Sequence, residues 1–127
     1  MAIYHQSVKR VSRRDGRSAT AAAAYRSGDE VACDREGRTH DYTRRSGVAH
    51  AEIVGWSDSR EALWNAAEAA EKRKDATVAR EYEIALPVEL DTQQQIAAAR
   101  EYAQWLHERH GVAVDVAVHD AESHNPH

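Results

Sequence analysis

Residues 112–119, VAVDVAVH, alternate with a period of two over their whole length. Alternation of that kind belongs to a strand, and it sorts the side chains without further information. Val112, Val114, Val116 and Val118 share one face, expected to meet the core. Ala113, Asp115, Ala117 and His119 share the other, so His119 is expected at a strand end on the face without the core, as a ligand or an exposed residue. Other stretches switch between this period and the helical one. AIYHQSVKRV (2–11), VAHAEIVGW (48–56) and REYEIALP (80–87) read as strands, the last closed by Pro87, which cannot continue a ladder. Residues 18–28 read as a helix capped by Ser18, carrying four consecutive alanines and stopped at Gly28. Helices are expected over 60–74, with Ala62, Leu63, Ala66, Ala67 and Ala70 as an apolar stripe, and over 92–109, with Ile96, Ala99, Ala103 and Leu106. Residues 28–47 are polar and punctuated by glycine, with a short hairpin expected around Gly37. The order β-α-loop-β-α-β-α-β predicts an α+β domain, its antiparallel or mixed sheet covered by helices on one face.

Length and composition narrow the class. A chain of 127 residues suits a single domain. Hydrophobic residues make up 42%, many of them alanine and none of them phenylalanine, so the core is expected to be modest. The lone Cys33 excludes an internal disulfide, and no stretch approaches the roughly 20 apolar residues of a membrane span. The N-terminal residues lack the apolar run of a secretion signal, which makes a cytoplasmic location the expectation. The net charge of -4 hides an asymmetry: residues 1–47 carry a net of +4 and residues 48–127 a net of -8. A basic front half can contact phosphates, or can be ordinary solvated surface.

Chemistry-bearing residues cluster in three places. The final stretch HDAESHNPH holds His119, His124 and His127, with a stiff Asn125-Pro126 step before the last of them. Two imidazoles suit a divalent transition ion but need a further donor. His107 and His110, one helical turn apart, are a competing pair that equally suits a helix C-terminus. In AREYEIALP, Glu81 and Glu83 share one strand face while Tyr82, Ile84 and Leu86 are expected to form the core set. If that strand neighbours 112–119, the two acids join His119, where a carboxylate can orient an imidazole or take a proton. Tyr25 ends the alanine run among tiny side chains; it is either packed inside or reaches outward, where an assisted tyrosine oxygen can act as a nucleophile.

Taken together, AIYHQSVK, GRSATAAAAYRSG, HDYTRRSGVAHAEI, LWNAAEAAEKRKDATVAREYEIALPVEL and VAVDVAVHD…NPH resemble the N-terminal relaxase domain of the MobA/MobL family, the MobQ-type mobilisation relaxases related to HUH endonucleases. The resemblance runs in order along nearly the whole chain. It implies a palm-like antiparallel sheet with helices behind it, and a single relaxase domain over residues 1–127. It also implies site- and strand-specific nicking of one DNA strand at an origin of transfer, through a covalent 5′-phosphotyrosine, in a bacterial cytoplasm. On this resemblance the nucleophile falls on Tyr25, the active-site glutamate on Glu81, a second acid on Glu83, and two metal ligands on His119 and His127. The implied cofactor is a divalent ion, Mg²⁺ or Mn²⁺. The implied partners are single-stranded or supercoiled plasmid DNA and other relaxosome proteins. Arg10, Arg13, Arg14, Arg17, Arg44 and Arg45 are candidate phosphate contacts. The family pattern continues NPH-x-H with a third ligand, whereas this sequence stops at His127, so a C-terminally incomplete domain is expected. The alternative function is a non-catalytic DNA-binding remnant; a product without a role is the third possibility.

Overall fold

A computed structural model of the chain describes residues 5–13, 16–43, 47–73, 76–87 and 89–119. The described elements are β1 (His5–Ser12), α1 (Ala19–Ser27), β2 (Glu30–Cys33), β3 (Arg38–Asp41), β4 (Val48–Val54), α2 (Arg60–Ala70), β5 (Thr77–Ala85), α3 (Thr92–His110) and β6 (Val114–His119). The α+β expectation is met. The loop expected between the first helix and the second strand contains the β2–β3 hairpin. Among the described residues the strands form three two-stranded sheets, β1-β5, β2-β3 and β4-β6. The β2–β3 and β4–β6 pairs are antiparallel, with a register shift between Val48 and His50.

Local chemistry explains the helix boundaries. The Ser18 side chain accepts from the Ala21 N–H at 3.1 Å and opens α1. Gly28, at φ 72°, closes it by donating its own N–H to the Ala24 carbonyl at 2.9 Å. Asp91 and Gln94 form a reciprocal capping box at the start of α3, satisfying two backbone donors that a helix start otherwise leaves open. Ser59 caps α2 in the same way as Ser18 caps α1.

The chain divides into two compact units. The first contains β4, α3, β6 and the end of β5, with Leu86, Ala103, Leu106 and Val118 buried. The second contains α1, β2, β3, α2 and most of β1 and β5; its buried apolar residues are Val11, Ala19, Ala23, Ala24, Val31, Cys33, Leu63 and Ala76. Alanines this numerous make the core modest, as the composition requires.

In the second unit the packing of α2 departs from its apolar stripe. Ala66 and Ala70 are exposed, and the deepest side chain of the helix is Glu68, at 2% exposure. A carboxylate survives there because every side of it is matched. Its Oε1 accepts the Ala19 N–H at 2.7 Å, at the start of α1. Its Oε2 receives the Arg13 guanidinium at 2.8 Å and the Arg35 Nε at 2.8 Å. Burial alone would raise its pKa, yet hydrogen bonds from Arg13, Ala19 and Arg35 hold it below the ordinary value. On the same helix, Glu61 accepts the Ala32 N–H at 2.7 Å, and Asn65 accepts from Asp34 N at 2.8 Å while donating to the Ala32 carbonyl at 2.6 Å. Two polar side chains of α2 thus pair with backbone of β2 and of the residue that follows it.

Candidate functional site

Tyr25 sits in the last turn of α1 and is 42% exposed, so it reaches outward rather than packing into the core. Its ring meets Tyr42, just past β3, edge to face at a centroid separation of 5.3 Å. The next residue, Arg26, places its guanidinium 5.7 Å from the Tyr25 ring centroid. Arg26 also donates Nε to Glu81 Oε2 at 3.0 Å. The other Glu81 oxygen accepts from Arg17, whose second nitrogen donates to the Arg10 carbonyl at 3.1 Å. Burial pushes the Glu81 carboxyl up, but hydrogen bonds from Arg17 and Arg26 outweigh it and hold the group below the ordinary carboxylate range. Glu81 is therefore an ionised carboxylate clamped by two half-exposed guanidinium groups, one of them adjacent to Tyr25.

The expected apolar face of β5 is kept at Leu86, just past the strand and 4% exposed, and is broken at Tyr82. Tyr82 is 37% exposed, and Glu81 is the inward residue. The alternation rule assigns the apolar residue to the interior, whereas here two arginines make it cheaper to enclose the acid. Among the described residues, no ladder pairs the strand of Glu81 and Glu83 with that of His119. β5 pairs with β1, and β6 pairs with β4.

His119 ends β6 opposite Val48. It is buried, at 8% exposure, and so is Val118 beside it at 1%. The expected open face is therefore covered at the strand end, and alternation does not separate the two side chains there. His127, together with His124, Arg14, Arg44 and Arg45, lies outside the described residues. His107 and His110 do not converge as a ligand pair. His107 Nδ1 bonds the Val112 carbonyl at 2.7 Å, and the His110 ring lies edge-on to Trp105 at 6.2 Å.

The candidate DNA-contacting arginines separate by their partners. Arg10 is exposed on β1. Arg17 is half-exposed and bound to Glu81. Arg13 is turned inward, its side chain 8% exposed, with bonds to Glu68 and to the carbonyls of Glu68, Glu71 (2.7 Å) and Arg73 (3.1 Å). Its guanidinium is thus committed to acceptors within the protein. Arg26 and Tyr42, by contrast, were not singled out by sequence patterning. Their signal was only adjacency to Tyr25 and the aromatic in HDYTRR.

Residues 17–127 match the MobA/MobL family, and the chain belongs to it. It is 52% identical over 122 residues to the mobilization protein MobL of Acidithiobacillus ferridurans, covering 94% of this chain and 32% of that protein. It is 40% identical over 143 residues to the conjugal transfer protein TraA of Agrobacterium fabrum, covering 100% of this chain and 13% of that protein. Mobilization protein A of Escherichia coli is 38% identical, with 17% of its length covered. The chain thus spans about a third or less of the curated relatives it matches. A solved chain from work on the molecular basis of vancomycin resistance transfer in Staphylococcus aureus superposes with a TM-score of 0.90 at 35% identity, covering 98% of this chain and 66% of that one. No helix among the described residues is long and apolar enough to cross a membrane.

Proposed function

We propose that this chain carries the nucleophile-bearing part of a relaxase that nicks one DNA strand at an origin of transfer during plasmid mobilisation. The observation that carries the reading is the outward-facing Tyr25, flanked by a guanidinium that a buried-side carboxylate holds in place. The Tyr25 oxygen attacks the scissile phosphorus and keeps the 5′ phosphate, while the 3′ oxygen leaves. The phenol loses a proton and the leaving oxygen gains one, so the step is proton-neutral and reversible. Arg26, and Arg17 on the far side of Glu81, supply positive charge to phosphate oxygens as the transition state forms. Glu81 acts through these arginines. A carboxylate held below its ordinary pKa is a poor proton acceptor but a good anchor. Glu83 remains the second acid of the reading, and Arg10 with Arg17 the described phosphate contacts on the DNA strand.

The reading includes a divalent ion, Mg²⁺ or Mn²⁺, on His119 and His127. The donor chemistry fits Mn²⁺ better than Mg²⁺: an imidazole shielded from water at the end of β6 is a nitrogen donor that Mn²⁺ can take beside oxygen ligands, whereas Mg²⁺ favours oxygen throughout. When bound, the ion would polarise a phosphate oxygen as a Lewis acid. The partner is plasmid DNA at its origin of transfer, in company with other relaxosome proteins. The relatives' names as mobilization and conjugal transfer proteins support this assignment.

The test is adduct trapping. The chain is incubated with a labelled single-stranded oligonucleotide from the origin of the mobile element that encodes it, with Mn²⁺, and resolved under denaturing conditions. A covalent band that disappears in Tyr25→Phe is expected. Saturable DNA binding without any adduct would replace the nuclease reading with that of a non-catalytic DNA-binding module.

A further inference from the structure

The β2–β3 hairpin gathers three donor side chains that take no part in the tyrosine cluster. Cys33 ends β2, Glu36 lies in the connecting turn, and His40 lies on β3. The register pairs Cys33 with Arg38 and Val31 with His40, so Cys33 and His40 are diagonal neighbours on one face of the hairpin. Gly37, at φ 67°, turns the chain and donates its N–H to the Cys33 carbonyl at 2.9 Å. The turn brings Glu36 back over that face. One ligand atom from each of Cys33, Glu36 and His40 lies within 4.8 Å of the other two. Cys33 is 2% and His40 8% exposed, while Glu36 is the exposed member. Among the described residues this is the group of three metal-ligating side chains that converges.

We propose that Cys33, Glu36 and His40 form a binding site for a thiophilic divalent ion of the Zn²⁺ type, with water as the fourth ligand. A sulfur, nitrogen and oxygen donor set is tetrahedral-zinc chemistry and a poor match for Mg²⁺ or Mn²⁺, which favour oxygen. Zinc–ligand bonds of about 2.0–2.3 Å put tetrahedral donors about 3.3–3.8 Å apart, so Glu36 and His40, at 3.1 Å, already stand near that spacing and the remaining closure falls to the Cys33 side chain. The ladder sets the backbones of the two buried donors side by side, and the exposed Glu36 supplies the entry path. Without an ion, the Glu36 carboxylate accepts hydrogen bonds from His40, Cys33 and Ser18, and its distance to His40 Nε2 is 3.1 Å. On binding, the Cys33 thiol releases its proton to solvent and His40 coordinates as the neutral imidazole. The thiolate and carboxylate together balance the charge of the dication. That balance matters here, because Ser18 begins α1 and a helix start disfavours net positive charge. The site would tie the hairpin turn to the start of the Tyr25 helix, and it rests on no part of the nicking reading.

Co²⁺ is the probe, because a thiolate ligand gives it a near-ultraviolet charge-transfer band that imidazole and carboxylate do not. Cys33 is the only cysteine, so such a band reports on this site alone. The expected result is a band that saturates at one ion per chain, is displaced by Zn²⁺ and is unaffected by His119→Ala. Glu36→Gln and His40→Ala should each weaken the apparent affinity by about tenfold or more. Absence of the band in the unsubstituted chain would overturn the proposal. So would a band whose affinity is the same in Glu36→Gln and His40→Ala, since a lone thiol would then account for it. The unsubstituted chain and the turn variant Glu36→Gln carry the decision, so a poorly folding His40→Ala does not obscure it.

Discussion

Arg26 Nε donates to Glu81 Oε2 at 3.0 Å, joining the last turn of α1 to the middle of β5 across a sequence separation of 55. Through this bond the residue after Tyr25 has a fixed direction, although its side chain is one-third exposed. Glu81→Gln keeps the shape and removes the charge. It is expected to lower the rate of adduct formation by about 10²-fold, the cost of a misplaced charge near reacting atoms. DNA affinity should change little, and Glu81→Asp should restore part of the rate. Single-turnover nicking measured alongside equilibrium DNA binding checks this. Equal losses in both would point to a merely structural role.

Arg10 and Arg13 are close in sequence and opposite in environment. Arg10→Ala should reduce the dependence of log affinity for single-stranded DNA on log salt concentration by about 0.7, the contribution of one phosphate contact. Arg13→Ala should leave that slope unchanged and instead cost about 1.5–3 kcal/mol of stability, because it removes one of the two guanidinium partners of the buried Glu68 carboxylate and leaves only Arg35 and the Ala19 N–H. Salt titrations of binding and urea unfolding of the two variants separate the roles.

Glu52 governs acid sensitivity in the first unit. Arg100 bonds both its oxygens, at 2.7 and 2.8 Å, and His50 adds a third contact at 2.9 Å. The Arg100 hydrogen bonds are the main reason that the carboxyl falls from 4.5 to about 2, against the opposing effect of burial. The folded value lies below the unfolded one. The stabilisation is therefore complete above about pH 4.5 and drains away as pH falls toward about 2. Glu52→Gln should flatten the fall of melting temperature with pH across that window. Thermal melts at stepped pH read it directly, and an equally steep fall in the variant would remove Glu52 from the explanation.

Gly55 is occupied by its neighbour's space as well as by its own conformation. At φ 81°, a Cβ there would lie 2.4 Å from His107 Nδ1 and 2.5 Å from Cε1. Gly55→Ala should cost at least about 1–3 kcal/mol from backbone strain alone, with the ring clash added. In a His107→Ala background the clash is gone and the cost should shrink toward the backbone contribution. A double-mutant cycle by chemical denaturation measures the difference, and full additivity would show that the ring moves aside freely.

What was legible in the sequence was local. Ser18 and Gly28 bound α1 as they do because capping is decided within a few residues, and the same holds for Asp91 and Gly111 around α3. The hairpin at Gly37 follows from turn chemistry alone. Tyr25 was legible as a candidate, with inside and outside left open. The structure puts it outside.

The rest depends on partners that periodicity does not encode. Glu68 reads as a solvent-facing acid on an alanine-rich helix, and only the arrival of Arg13 and Arg35 from distant segments makes it interior. Glu81 and Tyr82 exchange places on β5 for the same reason. Cys33 and His40 share no helical or strand spacing; a Cys-x-x-Glu-x-x-x-His run across an expected hairpin was the signal that could have joined them.

Among the described residues, the partners named above for the Tyr25 helix, Tyr42, Glu68 and Glu81, come from residue 81 or earlier. During synthesis, then, these supports of the proposed nucleophile emerge before α3 and β6 have left the ribosome. The half of the chain that holds the tyrosine is made first and the strand ending in His119 follows α3, so maturation runs from the attacking group toward the proposed ion ligands.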